Sequence, residues 1–84
     1  MFNVYVLKSG KDGSLYVGYT TNVGQRLATH NKGSVTSTKS KRPWKLIFIE
    51  TYISQKDALR REKYLKTTQG KSAIKHMLRE TLKL

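Results

Sequence analysis

The sequence predicts a small α/β domain of the α+β type, built on a central three-stranded antiparallel sheet flanked by helices. Three observations predict it. Two short runs rich in Val and Tyr flank a Gly/Asp-Gly turn, a third, nearly continuous apolar run lies mid-chain, and helix-spaced apolar residues follow the later capping signals. Eighty-four residues leave room for one domain, residues 1–84, with a modest core.

In order, Phe2 to Lys8 and Ser14 to Thr20 read as strands, and Ser9-Gly10-Lys11-Asp12-Gly13 as the turn of an antiparallel hairpin. Thr21 or Asn22 can cap a short helix whose apolar positions are Val23 and Leu27, ending near Asn31 and Gly33. From Asn31 to Pro43 the chain is polar, small and basic, a long connection for so small a domain and therefore either mobile or functional. Trp44 to Ile53 is apolar, aromatic or β-branched almost throughout, which predicts a strand covered on both faces. Ser54-Gln55-Lys56-Asp57 resembles a capping box opening a helix through about Thr67. Gly70 is expected to interrupt it, with a last helix from about Ser72 carrying Ile74, Leu78 and Leu82 on one side.

Charge dominates the composition. Seventeen Lys+Arg stand against five Asp+Glu, a net charge of +12, and such an excess on so small a body points to a polyanionic partner. The absence of cysteine removes disulfides, thiolate zinc sites and cysteine nucleophiles, and two histidines are too few for an all-histidine metal cage. No apolar run approaches the length of a membrane span and the first residues lack a secretion-signal layout, so a cytoplasmic protein without membrane contact is expected.

Five carboxylates are few enough to sort. Asp12 suits the turn, Asp57 the helix cap, Glu80 lies among basic neighbours, and Glu50 can partner a cation at the edge of its strand. Glu62 shares a helix face with Ala58, Leu59 and Leu65, while Arg60, Arg61 and Lys63 point elsewhere. A carboxylate on an apolar face needs a partner: an arginine, which spacing alone favours, or a divalent metal, since Mg²⁺ commonly takes only one or two protein carboxylates. Arg26 and His30 stack one turn apart, a pair suited to holding phosphate and moving a proton, although such spacing is common; His76 reads as a surface residue. Tyr5 and Tyr16 lie one on each hairpin strand, either as cross-strand packing or as phenols whose proton a positive field would loosen. Lys39, Lys41, Arg42 and Lys45 surround Trp44, which suits a groove that tracks a nucleic-acid backbone and stacks its bases.

Asn3-Val4-Tyr5, Tyr16-Val17-Gly18, Arg26 with His30, and Glu62 within Ala58–Lys66 resemble, in order, the GIY-YIG nuclease superfamily. The chain is most similar to its small stand-alone bacterial members, related to the amino-terminal nuclease domain found in bacterial excinuclease. The resemblance implies a metal-dependent DNA endonuclease that leaves 5′-phosphate and 3′-hydroxyl ends. Carried over, Tyr5 and Tyr16 project into the site; Tyr16 is the preferred acceptor of the attacking water's proton, and Tyr5 orients that water. Arg26 stabilises charge on the phosphorane-like transition state, and His30 contacts phosphate or relays a proton. Glu62 holds one Mg²⁺ or Mn²⁺ at the leaving oxygen.

The expected partner is DNA, with single-stranded, flapped or branched forms preferred because no recognition helix is evident. One site per chain implies nicking by a monomer. The alternative is a non-catalytic nucleic-acid-binding module on a nuclease fold. A third reading, an RNA- or ribosome-attached basic protein, leaves Glu62, Arg26 and the tyrosine pair unused.

Overall fold

A computed structural model describes residues 1–84. The strands are β1 (Phe2–Ser9), β2 (Leu15–Thr20) and β3 (Trp44–Tyr52), and the helices are α1 (Val23–Lys32), α2 (Gln55–Leu65) and α3 (Thr68–Met77), with short 3₁₀ turns at Lys39–Lys41 and Thr81–Lys83. The sheet order is β2-β1-β3, with both pairings antiparallel. No helix is long and apolar enough to cross a membrane.

The strand enclosed on both faces is β1, not β3. Asn3 to Leu7 are buried in unbroken succession, because β1 has a strand on each side and a helical layer on each face. β3 lies at the edge, where Ile49 remains 45% exposed. An apolar run reports how much burial a strand can use, and the sheet order decides how much it receives. One register shift between Val6 and Leu7 leaves Ile47 unpaired, as Val6 faces Phe48 and Leu7 faces Leu46.

Alternation along the strands divides the core. Val4, Val6 and Val17 meet Ala58, Leu65 and Ile74 of α2 and α3 on one face. Tyr5, Leu7 and Trp44 gather on the other, with Tyr16, Leu27 and Leu46 packed against them. α1 supplies Leu27 there and is well delimited: the Asn22 side chain accepts from the Gln25 amide, and Gly33 closes the helix at φ +81°, a left-handed position that glycine takes without strain.

α2 begins on Ser54, whose hydroxyl accepts from the Asp57 amide, and ends at Leu65. Thr67 then caps α3 by accepting from the Gly70 amide at 3.0 Å, so that the helix begins at Thr68, four residues earlier than Ser72. Gly70 therefore does not interrupt a helix. A Cβ there would overlap the Tyr64 carbonyl oxygen and lie 2.6 Å from the Leu65 Cα, so glycine is present for the close approach of α3 to the end of α2. Leu82 belongs to the last 3₁₀ turn rather than to a continued α3.

The connection between Gly33 and Pro43 is tied down on several sides. Ser9 Oγ donates to the Lys41 carbonyl at 2.6 Å, and the Gly10 amide to the Pro43 carbonyl at 2.7 Å. The Asn31 side chain bonds both the amide and the carbonyl of Trp44, at 2.7 and 3.1 Å. The Arg42–Pro43 peptide is cis.

Candidate active site

Four of the five expected catalytic side chains meet on the α1 side of the sheet. Tyr5 leaves the central strand opposite Gly18, which has no side chain to block the phenol ring. Its hydroxyl lies 2.9 Å from His30 Nε2, and Arg26 Nε donates to it across a long 3.4 Å. Arg26 and His30 reach the same phenol because one helical turn separates them on α1. Tyr16 completes the group with its ring centroid 6.4 Å from that of Tyr5, 5.0 Å from His30 and 6.2 Å from Trp44.

His30 is fully enclosed, at 0% exposure, so it has no access to a phosphate; hydrogen bonding behind Tyr5 is the role its position allows. Its Nδ1 lies 2.8 Å from Thr38 Oγ1, a buried residue in the tied-down connection. Thr38 in turn accepts the Trp44 indole N–H on its carbonyl at 2.9 Å. A single threonine in a polar stretch carries no sequence signal of this kind; only the folded connection brings it to the imidazole.

Burial decides the protonation states. Desolvation raises the Tyr5 phenol above its ordinary value, with the Tyr16 and Glu62 charges adding to it, and the Arg26 hydrogen bond opposes without prevailing. Of the two readings open for the tyrosines, a loosened proton is the one that burial disfavours at Tyr5. Desolvation, followed by the nearby Arg26 charge, lowers His30, which rests as neutral imidazole. The Tyr5 hydrogen bond first, then the charges of Tyr5 and Tyr16, hold Arg26 above its usual range against an opposing desolvation.

Glu62 stands apart from this hydrogen-bonded group. It projects from α2, half-buried, close enough for its charge to bear on Tyr5, and pairs with Lys66 at 3.2 Å rather than with an arginine. Its expected face also needs correction. Leu59 is 42% exposed, and Arg61 is drawn inward to Glu50, which it grips with two hydrogen bonds of 2.9 and 3.2 Å while Tyr52 donates to the same carboxylate. Helical angle alone placed Leu59 inside; the direction in which α2 lies on the sheet puts Ala58 and Leu65 there instead.

The donor set near Glu62 suits a hard divalent cation of the Mg²⁺ kind. One half-buried carboxylate whose charge bears on Tyr5, with an exposed lysine as its ion-pair partner, leaves most of an octahedron to water and phosphate oxygens.

Among the expected nucleic-acid contacts, Lys39, Lys41, Arg42 and Lys45 are exposed. Trp44 is not available for stacking: it is 5% exposed, its ring packs in the core and its N–H is used by Thr38. A tryptophan amid cations reads the same in sequence whether it faces solvent or core.

Comparison with known proteins identifies the family and the fold. The family profile described as the GIY-YIG catalytic domain matches residues 1–76. A UPF0213 protein of Staphylococcus haemolyticus is 47% identical over 73 residues, covering 86% of this chain and 88% of that protein. One from Pediococcus pentosaceus is 38% identical over 84 residues, covering 99% and 87%. The solution NMR structure of a UPF0213 protein from Bacillus halodurans superposes with a TM-score of 0.57 at 32% identity, covering 92% of this chain and 85% of that one. Profile, relatives and fold agree: the chain belongs to the GIY-YIG catalytic domain family, a nuclease family, among its small UPF0213 members.

Proposed function

We propose that this domain, residues 1–84, is a divalent-metal-dependent DNA endonuclease of the bacterial cytoplasm. The observation that carries the reading is the convergence of Arg26 with Tyr5, Tyr16 and buried His30 near one carboxylate, on a body of charge +12. Glu62 would hold Mg²⁺ or Mn²⁺, which when bound supplies Lewis-acid stabilisation of the leaving 3′ oxygen. Binding would require Lys66 to release Glu62, a small demand on an exposed, flexible side chain.

Arg26 lies between two phenols with its charge secured, and would grip the reacting phosphate as negative charge builds. Tyr16 is the less buried tyrosine, so it is the phenol placed to meet an attacking water and accept its proton. Tyr5, hydrogen-bonded to both His30 and Arg26, would hold Arg26 and the water in line rather than act as base.

Lys39, Lys41, Arg42 and Lys45 would attract the phosphate backbone with a strong salt dependence. A preference for single-stranded, flapped or branched DNA keeps its first ground, that no recognition helix is evident, and loses its second, since Trp44 offers no stacking platform.

The test is cleavage of labelled single-stranded, duplex and branched DNA, plus RNA, under Mg²⁺ and Mn²⁺, with end mapping and Glu62→Ala beside wild type. Nicks with 5′-phosphate ends, lost in Glu62→Ala while binding persists, are expected. Binding without cleavage by either protein under every condition would establish the non-catalytic module. Faster cutting of intact duplex would overturn the substrate preference.

A further inference from the structure

The hydroxyl behind His30 determines more than burial. We propose that Thr38 is a positioning residue that sets the direction of the buried hydrogen-bond chain ending at Arg26, by accepting the His30 Nδ1 proton. The consequence at Arg26 rests on the endonuclease reading; the direction of the chain does not.

At the Tyr5 end the protons of this group find acceptors in one sense only, and Thr38 can serve that sense. Thr38 Oγ1 has a second partner, the Val35 carbonyl at 3.3 Å, which can take its proton as a long third bond beside the Thr38 and Lys39 amides. It is then free to accept from His30 Nδ1 at 2.8 Å. With its proton on Nδ1, the neutral imidazole presents Nε2 as a lone pair, which takes the Tyr5 phenol proton at 2.9 Å. The Tyr5 oxygen in turn keeps lone pairs for Arg26 Nε. Every proton in this sequence has an acceptor.

The opposite sense fails the same accounting. Nε2–H would then donate to the oxygen that already serves Arg26. The phenol proton of Tyr5, a residue 1% exposed, would have neither of its two hydrogen-bond partners as an acceptor, since both would be donors. A buried polar hydrogen without an acceptor costs about 1–3 kcal/mol.

Thr38 is itself held from both sides. Its amide and that of Lys39 bond the Val35 carbonyl at 3.1 and 3.0 Å, and its carbonyl receives the Trp44 indole N–H. The hydroxyl therefore cannot drift from the ring. The imidazole on which Tyr5, and through it Arg26, rests is thus held from the far side by a threonine in the connection that also carries Lys39, Lys41 and Arg42.

The experiment combines long-range ¹H–¹⁵N spectra of the imidazoles with single-turnover and steady-state cleavage of the best substrate, for wild type, Thr38→Ser and Thr38→Val. Wild type and Thr38→Ser should show His30 protonated at Nδ1. Thr38→Val should show the Nε2–H form or a mixture. Its kcat should fall about 10–100-fold, the scale seen when a partner that orients an imidazole is lost, with KM changed less than about 2-fold. Thr38→Ser should restore kcat.

A wild-type spectrum with the proton on Nε2, or a folded Thr38→Val that keeps both tautomer and kcat, would overturn the proposal. If Thr38→Val does not fold, the wild-type and Thr38→Ser spectra decide. Failure of wild type to cut any substrate would count against the endonuclease reading, while the imidazole spectrum still decides the direction of the chain.

Discussion

Replacing Gly18 by alanine changes one hydrogen to a methyl group at the point where Tyr5 crosses β2. The added Cβ would overlap Cζ and the hydroxyl oxygen of Tyr5 and lie 2.7 Å from Cε1. Ordinary carbon contacts are about 3.5–4.0 Å, so the ring must retreat by roughly 1 Å or more. Retreat of that size lengthens the 2.9 Å bond to His30 and the 3.4 Å bond to Arg26 beyond useful range.

Overpacking costs about 1–3 kcal/mol and an unsatisfied buried imidazole about as much again, so Gly18→Ala should lose about 2–6 kcal/mol. For a chain of 84 residues the total stability is roughly 4–13 kcal/mol, so the change is severe. Gly24→Ala is the matched control. The nearest atom to its Cβ is Asn22 Oδ1 at 3.8 Å, and alanine in α1 should stabilise by up to about 1 kcal/mol. Urea unfolding followed by circular dichroism measures both. Gly18→Ala within about 0.5 kcal/mol of wild type, with cleavage retained, would refute the claim that this glycine exists to admit Tyr5.

Three further outcomes are expected. Because His30 is depressed in the folded protein, the unfolded chain binds its proton first: stability is full above about pH 6.5, the ordinary histidine value, and falls as pH drops from there through the lower folded value. Urea midpoints between pH 5 and 7.5 should show this slope, and His30→Ala should abolish its share. Gly70→Ala gains about 1 kcal/mol in helix propensity but meets backbone that cannot give way, so a net loss of about 2 kcal/mol is expected in thermal unfolding. Glu50→Ala should cost about 1–2 kcal/mol, because its two-point pairing with Arg61 is only 26–29% exposed, whereas Arg60→Ala, at an exposed pair with Asp57, should move the midpoint by less than about 0.5 kcal/mol. A double-mutant cycle on each pair checks the contrast.

Local chemistry made much of this legible in the chain. The hairpin follows from β-rich runs around a Gly/Asp-Gly turn, α1 from Asn22 and Gly33 at its ends, and the start of α2 from Ser54. The isolation of Glu62 followed from counting acids, while the tyrosines, Arg26 and His30 stood out only through their resemblance, in order, to the family's motifs. These signals act over a few residues, so sequence carries them. Gly70 misled for the same reason: a glycine in a helical pattern looks like a break when its contact is with the preceding helix.

By itself, then, the sequence determined the element types, the sign of the partner and the family. Tertiary structure decided which strand is enclosed, that Trp44 serves the core rather than a nucleobase, and that Lys66, not an arginine, sits on Glu62. It alone placed Thr38 against His30 and Gly18 beneath Tyr5. The physical reason is common to all of these: burial and hydrogen-bond satisfaction depend on what arrives from distant parts of the chain, and that is settled only when sheet order and helix direction are settled.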